Sequence, residues 1–198
     1  MRRALAIRAN LEPALTFLTA KLHVSPVINL AILNQANWLL PHPQPQILYG
    51  TPHSVPGLVL LPAALGFVKA VVAALKSGLT ASQLRALEAA EGPIEQQTQA
   101  YFKDIAYHEM GHLHVYAYGM KAPTHWISEF LATYLMESYL IENQPARTSN
   151  TQRMSEAFVQ STHPEHTSLD DFERLYSGVS PMNYGWYQGQ FALRAATV

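Results

Sequence analysis

The chain has 198 residues, 48% of them hydrophobic and 14% charged, a balance that supports a packed core and excludes disordered, collagen-like and coiled-coil classes. A formal net charge of -1 without any Lys/Arg cluster gives no footprint for nucleic acid. The absence of cysteine excludes disulfides, a thiol nucleophile and cysteine-held metal, so any ion must be held by His, Asp or Glu.

The N-terminal residues Met1 to Arg8 are basic, but Arg8 interrupts them before an apolar run develops. They do not read as a signal peptide, and a cytoplasmic location is the expectation. Leu11 to Leu22 has helical apolar spacing, and Val27 to Leu33 is rich in β-formers. Pro41 to Pro45 reads as a loop, followed by short strands at Gln46 to Tyr49 and Leu58 to Leu61. The apolar run Leu58 to Leu75 contains Pro62, Gly66 and Lys69, so it reads as a strand and a buried helix; no membrane span is expected.

Beyond Ala63 the pattern turns helical: Ala63 to Ser77, Ala81 to Glu91, Pro93 to Tyr118, Trp126 to Glu142, Asn150 to Gln160, Leu169 to Tyr176 and Pro181 to Ala196. Thr80 and Ser168 are N-cap residues, Ser180-Pro181 places proline at a first helical position, and Gly78 and Gly119 suit C-caps. Segregation of strands from helices predicts an α+β fold in one domain, 1–198, with helix plus sheet over 1–62 and mainly helix over 63–198.

Inside the long helix after Gly92 stands His108-Glu109-Met110-Gly111-His112, the pattern H-E-x-x-H. Residues four apart share a helix face, so both imidazoles can point at one metal ion. Glu109 lies about 100° round the helix, out of that pair but within reach of a water beside it, the place of a general base. Tyr101 and Ile105 lie on the same stripe, which places the histidines on a buried face where unpaired polar groups are costly. A third ligand must come from another element. Glu129, flanked on the next helix by Trp126, Ala132 and Thr133, sits where a carboxylate needs a cation or strong donors.

H-E-x-x-H followed by Pro123-Thr124-His125-Trp126-Ile127-Ser128-Glu129-Phe130-Leu131-Ala132-Thr133-Tyr134 resembles the gluzincin metallopeptidases of the peptidase MA-like group, over about Tyr101 to Glu137. Their second helix typically reads P-x-W-x-x-E-G-x-A-x-Y. The resemblance implies a zincin-like fold, with a small N-terminal mixed sheet packed on the active-site helix and a helical C-terminal part. It implies one zinc ion per chain on His108, His112 and Glu129, with Glu109 as base, and a peptide or protein as substrate. Phe130 departs from the usual glycine. Ser128 and Thr133 stand where thermolysin-like members carry Asn and Asp, and Asp104, one turn before His108, is offered as a substitute acceptor. Tyr118 occupies the position of the third histidine of the longer metzincin motif and excludes it.

Other groups are candidates for the region. His125 shares a face with Glu129. His114 points away from His112 and reads as structural. An oxyanion donor is expected from Tyr184 or Tyr187, or from the loop histidines His163 and His166. Gly185 and Gly189 form a side-chain-free strip expected to let another helix approach and bring Tyr184 or Tyr187 near the metal. The strand Leu58 to Leu61 is expected to form the rim on which an extended peptide pairs. The activity implied is hydrolysis of peptide bonds. The alternative is a catalytically silent zinc-binding or regulatory module, such as a sensor or a repressor-directed regulator of the ImmA/IrrE group. Cleavage preference and oligomeric state have no signature in the chain.

Overall fold

The computed structural model describes residues 2–38 and 50–198; the expected loop Pro41 to Pro45 and strand Gln46 to Tyr49 lie outside them. In chain order the elements are α1 (Arg2–Leu22), β1 (Asn29–Leu33), β2 (His53–Val55), β3 (Leu58–Pro62), α2 (Val68–Gly78), α3 (Ala81–Glu91), α4 (Ile94–Ala117), α5 (His125–Asn143), α6 (Pro145–Ser161), α7 (Leu169–Leu175) and α8 (Pro181–Ala195). Short 3₁₀ turns lie at Gln35–Asn37 and Tyr176–Gly178. The fold is α+β, predominantly helical with a small mixed sheet.

Local chemistry sets these boundaries. Thr80 and Gln83 form a reciprocal capping box at the start of α3. The Ser168 and Ser180 hydroxyls accept from backbone amides at the starts of α7 and α8. Proline at the first position opens α6 directly after α5, several residues before the expected Asn150. At the other end of the chain, α1 runs through Pro13 and begins well before the expected Leu11, on a stretch rich in Arg, Ala and Leu.

The sheet order is β1-β3-β2, with β1 parallel and β2 antiparallel to β3. β2 is a strand the periodicity did not predict. Its hairpin with β3 turns on Pro56-Gly57, Gly57 taking φ 77°. Because β3 is central, both its edges are committed to neighbouring strands, so Leu58 to Leu61 cannot offer the rim expected of it; among the described residues that edge belongs to β2.

α4 is the axis of the structure, touching the sheet, α1, α2, α3, α5 and α6. One side buries Ala106, Tyr107, Met110 and Leu113 against Val59 and Leu61 of β3, Ala14 of α1 and Met136, Tyr139 and Leu140 of α5. The other side, at Ile94 and Tyr101, joins a second core with Val72, Leu75, Leu87, Met154 and Phe158. Burial of this kind is worth about 25 cal/mol per Å² and fixes the rotation of α4, and so the direction of its polar residues. No helix among the described residues is long and apolar enough to cross a membrane.

Where α4, α5 and α6 meet, the cores enclose acids. Asp104 is 2% exposed and pairs with Arg147 of α6 at 2.9 Å. Arg147 also donates to the Tyr107 hydroxyl. Glu137 of α5 is 0% exposed, and neither carboxylate oxygen has a hydrogen-bond partner. Burial, with the charge of Asp104 behind it, pushes Glu137 up to about 7. Tyr101, on the α4 face toward Glu137, is pushed up to about 12, again chiefly by burial.

A carboxyl raised in the folded state supports folding while it is protonated and opposes it once it ionises, so this contribution is present below about pH 4.5 and lost as pH rises through about 7. Glu137→Gln keeps the shape and never ionises. The variant is expected to melt at or slightly below the wild-type temperature at pH 5 and roughly 5 °C above it at pH 8, measured by thermal scans across that range. A difference that stays constant with pH would count against a buried acid here.

Candidate metal centre

α4 and α5 pack in close contact at Gly111. A Cβ built there would lie 2.7 Å from the Ala132 carbonyl oxygen, closer than packed atoms tolerate. Glycine inside the H-E-x-x-H sequence is therefore what lets the two helices touch. His108 and His112 face α5, and Glu129 of α5 faces back: one ligand atom from each lies within 4.8 Å of the others. The Glu129 Oε2 is 3.2 Å from His108 Nε2, and its Oε1 is 3.5 Å from His112 Nε2. His108 and Glu129 are 7% and 4% exposed.

The other ring nitrogens are held by α5 as well. His108 Nδ1 lies 3.1 Å from the Thr133 hydroxyl, and His112 Nδ1 lies 3.4 Å from that of Ser128. Ser128 and Thr133, noted above as departures, thus each set a hydroxyl beside one ring nitrogen and orient the imidazoles. Asp104 does not serve the histidines; its carboxylate is taken by Arg147, which reaches it from α6.

Glu129 is further surrounded by neutral donors. The Tyr176 hydroxyl donates to Oε1 at 2.7 Å, while the Gln188 side-chain amide and the Tyr184 hydroxyl donate to Oε2 at 2.8 and 3.2 Å. Burial disfavours the ionised Glu129, but the two imidazoles and Tyr176 outweigh it and hold the carboxyl well below its usual range. Burial also works against a charged His108, yet the hydrogen bond and charge of Glu129 leave it raised. His112 is lowered to about 4, by burial first and then by His108.

Glu109 stands beside this group and outside it. It is 6% exposed, and its Oε2 accepts a hydrogen bond from Ser54 of β2 at 2.8 Å. Burial raises its carboxyl to about 7. Two side chains with an imidazole nitrogen and one with a carboxylate oxygen, converging and stripped of water, form a donor set that fits a divalent cation; a buried anion otherwise lacks full compensation.

The remaining expectations divide. Tyr184 is brought to the group, but Tyr187 is not. Its ring is 1% exposed among Phe172 and Phe191, and its hydroxyl donates to the Ser168 carbonyl at 2.8 Å. The reason is the rotation of α8: the Gly185 and Gly189 strip lies against Phe158 and Ser155 of α6, not against a ligand helix. Tyr184 then points toward α5 and Tyr187 toward α7. His163 is exposed, and His166 is tied to Asn183 and Asp171. Neither joins the group. His125 is not a member either; its ring stacks on Tyr176 at 4.3 Å. His114 is fully buried, with Nδ1 2.8 Å from the Met110 carbonyl, as a structural histidine would be.

Sequence reading missed Tyr176, Gln188 and Ser54. Tyr176 and Gln188 are 47 and 59 residues from the carboxylate they serve, and Ser54 is 55 from Glu109. No short-range pattern announces such partners. No protein-family model, curated protein or solved structure matches the chain.

Gly111→Ala tests whether the helix contact makes the group. The added methyl has no flexible neighbour to push aside, since its obstacle is backbone. Overpacking of this kind costs about 1–3 kcal/mol. The variant is expected to melt several degrees lower and to lose most uptake of divalent metal, by calorimetry and elemental analysis. Full uptake would show that the close approach is not needed to assemble the ligands.

Proposed function

We propose that this chain is a zinc-dependent peptidase of zincin-like fold, similar to the gluzincins, working in the cytoplasm on peptide or protein substrates. The observation that carries the reading is the convergence of His108, His112 and Glu129 with Glu109 held just outside them. A silent zinc module is usually closed by four protein ligands and needs no buried acid alongside, so three ligands with Glu109 beside them favour turnover.

When bound, one zinc per chain would supply Lewis acidity, making a water easier to deprotonate and a substrate carbonyl more open to attack. His108, His112 and Glu129 would hold it, with Thr133 and Ser128 fixing the imidazoles. Glu109 takes a proton from the attacking water and returns it to the leaving amine as the peptide bond breaks. A carboxyl raised to about 7 by burial is matched to both halves of that exchange. Ser54 fixes its orientation. Tyr184, whose hydroxyl lies 3.2 Å from Glu129, would donate to the developing oxyanion. An extended substrate would pair along β2, the sheet edge that carries Ser54.

Two measurements test this. Purified protein is expected to contain about one zinc per chain, and His112→Ala to lose most of it, by elemental analysis. Zinc-free wild type that takes up none on addition would overturn the reading. Glu109→Gln is expected to retain zinc and fold while peptide hydrolysis falls by about 10²–10⁴-fold. A near wild-type rate in that variant, on a peptide the wild type cleaves, would remove Glu109 from the mechanism.

A further inference from the structure

The two oxygens of Glu129 are not equivalent. Each oxygen of a carboxylate can accept about two hydrogen bonds. Oε2 already receives Gln188 at 2.8 Å and Tyr184 at 3.2 Å, with His108 Nε2 also at 3.2 Å. Oε1 receives only Tyr176 at hydrogen-bond distance, His112 Nε2 lying farther off at 3.5 Å. The oxygen with a lone pair left for a cation is therefore Oε1, and the group that fixes where that lone pair points is the Tyr176 hydroxyl.

The chain goes to some length to put that hydroxyl there. Tyr176 ends α7 with φ 40° and ψ -106°, a backbone conformation that residues bearing a Cβ rarely adopt. Glycine would fill it without strain, so the side chain is the feature being kept. The ring lies stacked on His125 at 4.3 Å with 17° between planes, and Phe172 meets it edge-on at 5.6 Å. His125 is itself fixed, its backbone amide donating to Glu173 at 2.6 Å. Two rings and a strained turn thus aim one hydroxyl at one carboxylate oxygen.

Resting on the metal reading above, we propose that Tyr176 is a positioning residue that presents Oε1 of Glu129 to the metal, and that His125 acts through it by holding its ring. Tyr184 has a different part. Its loss leaves Gln188 on Oε2, so it can turn toward a substrate without releasing the carboxylate.

The experiment compares Tyr176→Phe, Tyr184→Phe, His125→Ala and His125→Phe in the full chain. Zinc affinity is read by competition with a chromogenic chelator, ligand geometry by the visible spectrum of the cobalt-loaded protein, and folding by melting of the metal-free form. Tyr176→Phe keeps the ring and its stack but takes one donor from a buried carboxylate, so the metal-free protein is expected to melt a few degrees below wild type. Its zinc affinity is expected to fall roughly 10- to 100-fold with altered cobalt bands, as for partners that orient a ligand. Tyr184→Phe is expected to lose under about threefold. His125→Ala is expected to lose several-fold and His125→Phe to restore it, since a phenyl ring preserves the stack.

Wild-type affinity in Tyr176→Phe overturns the assignment, as does an equal loss in Tyr184→Phe. A zinc loss with unaltered cobalt bands makes Tyr176 merely structural and also overturns it. A wild type that binds no zinc overturns the metal reading itself and this assignment with it, a result distinct from the others.

Discussion

A carboxylate removed from water is among the most costly groups a fold can contain, and Glu129 is the point around which this fold is arranged. Its charge is met from three directions. α4 supplies two imidazoles, α8 an amide and a phenol, and the turn after α7 a second phenol. Each of those elements is locked by apolar packing whose only visible product at the centre is the direction of a polar tip. Phe172 and Phe191 seat α7 and α8 against Trp126 and Phe130, the residues flanking Glu129 on α5. Phe130 is thus part of the wall that holds α8 in place.

The close contact of α4 with α5 matters as much as the ligands. An imidazole and a carboxylate on two helices at ordinary spacing need longer side chains or intervening water to meet. Gly111 brings the backbones near enough that short hydroxyls, Ser128 and Thr133, reach the far nitrogens of the two rings. Hydroxyls in these places add no negative charge around the group, leaving Glu129 and Glu109 as its acids.

What could be read in advance was what repeats at short range. H-E-x-x-H and the apolar stripe through Tyr101 placed two histidines on one buried face, because four-residue spacing is a property of the helix alone. Glu129 was legible from its apolar neighbours on the next helix. Caps at Thr80, Ser168 and Ser180 marked helix starts for the same local reason. The losses are of two kinds. β2 is three residues long, too short for alternation to show, and only Val55-Pro56-Gly57-Leu58 signalled its hairpin. Tyr184 and Tyr187 could not be sorted, and Tyr176 was missed, because their fate depends on how α7 and α8 rotate against α5 and α6, a tertiary choice made by Phe172, Gly185 and Gly189. The mistaken rim at β3 has the same origin: whether a strand is central or at an edge is decided by its neighbours.

The sequence separations around Glu129 carry an implication for the order in which the molecule assembles. The imidazoles and the carboxylate belong to consecutive helices, His112 and His108 standing 17 and 21 residues before Glu129, so an α4–α5 hairpin can close early at small entropic cost. The donors from the last two helices lie 47 to 59 residues further along. On a chain emerging from the ribosome, the hairpin would carry Glu129 uncovered until α7 and α8 have been made and docked. The spacing thus sets an order of assembly, with the buried carboxylate made first and its cover last.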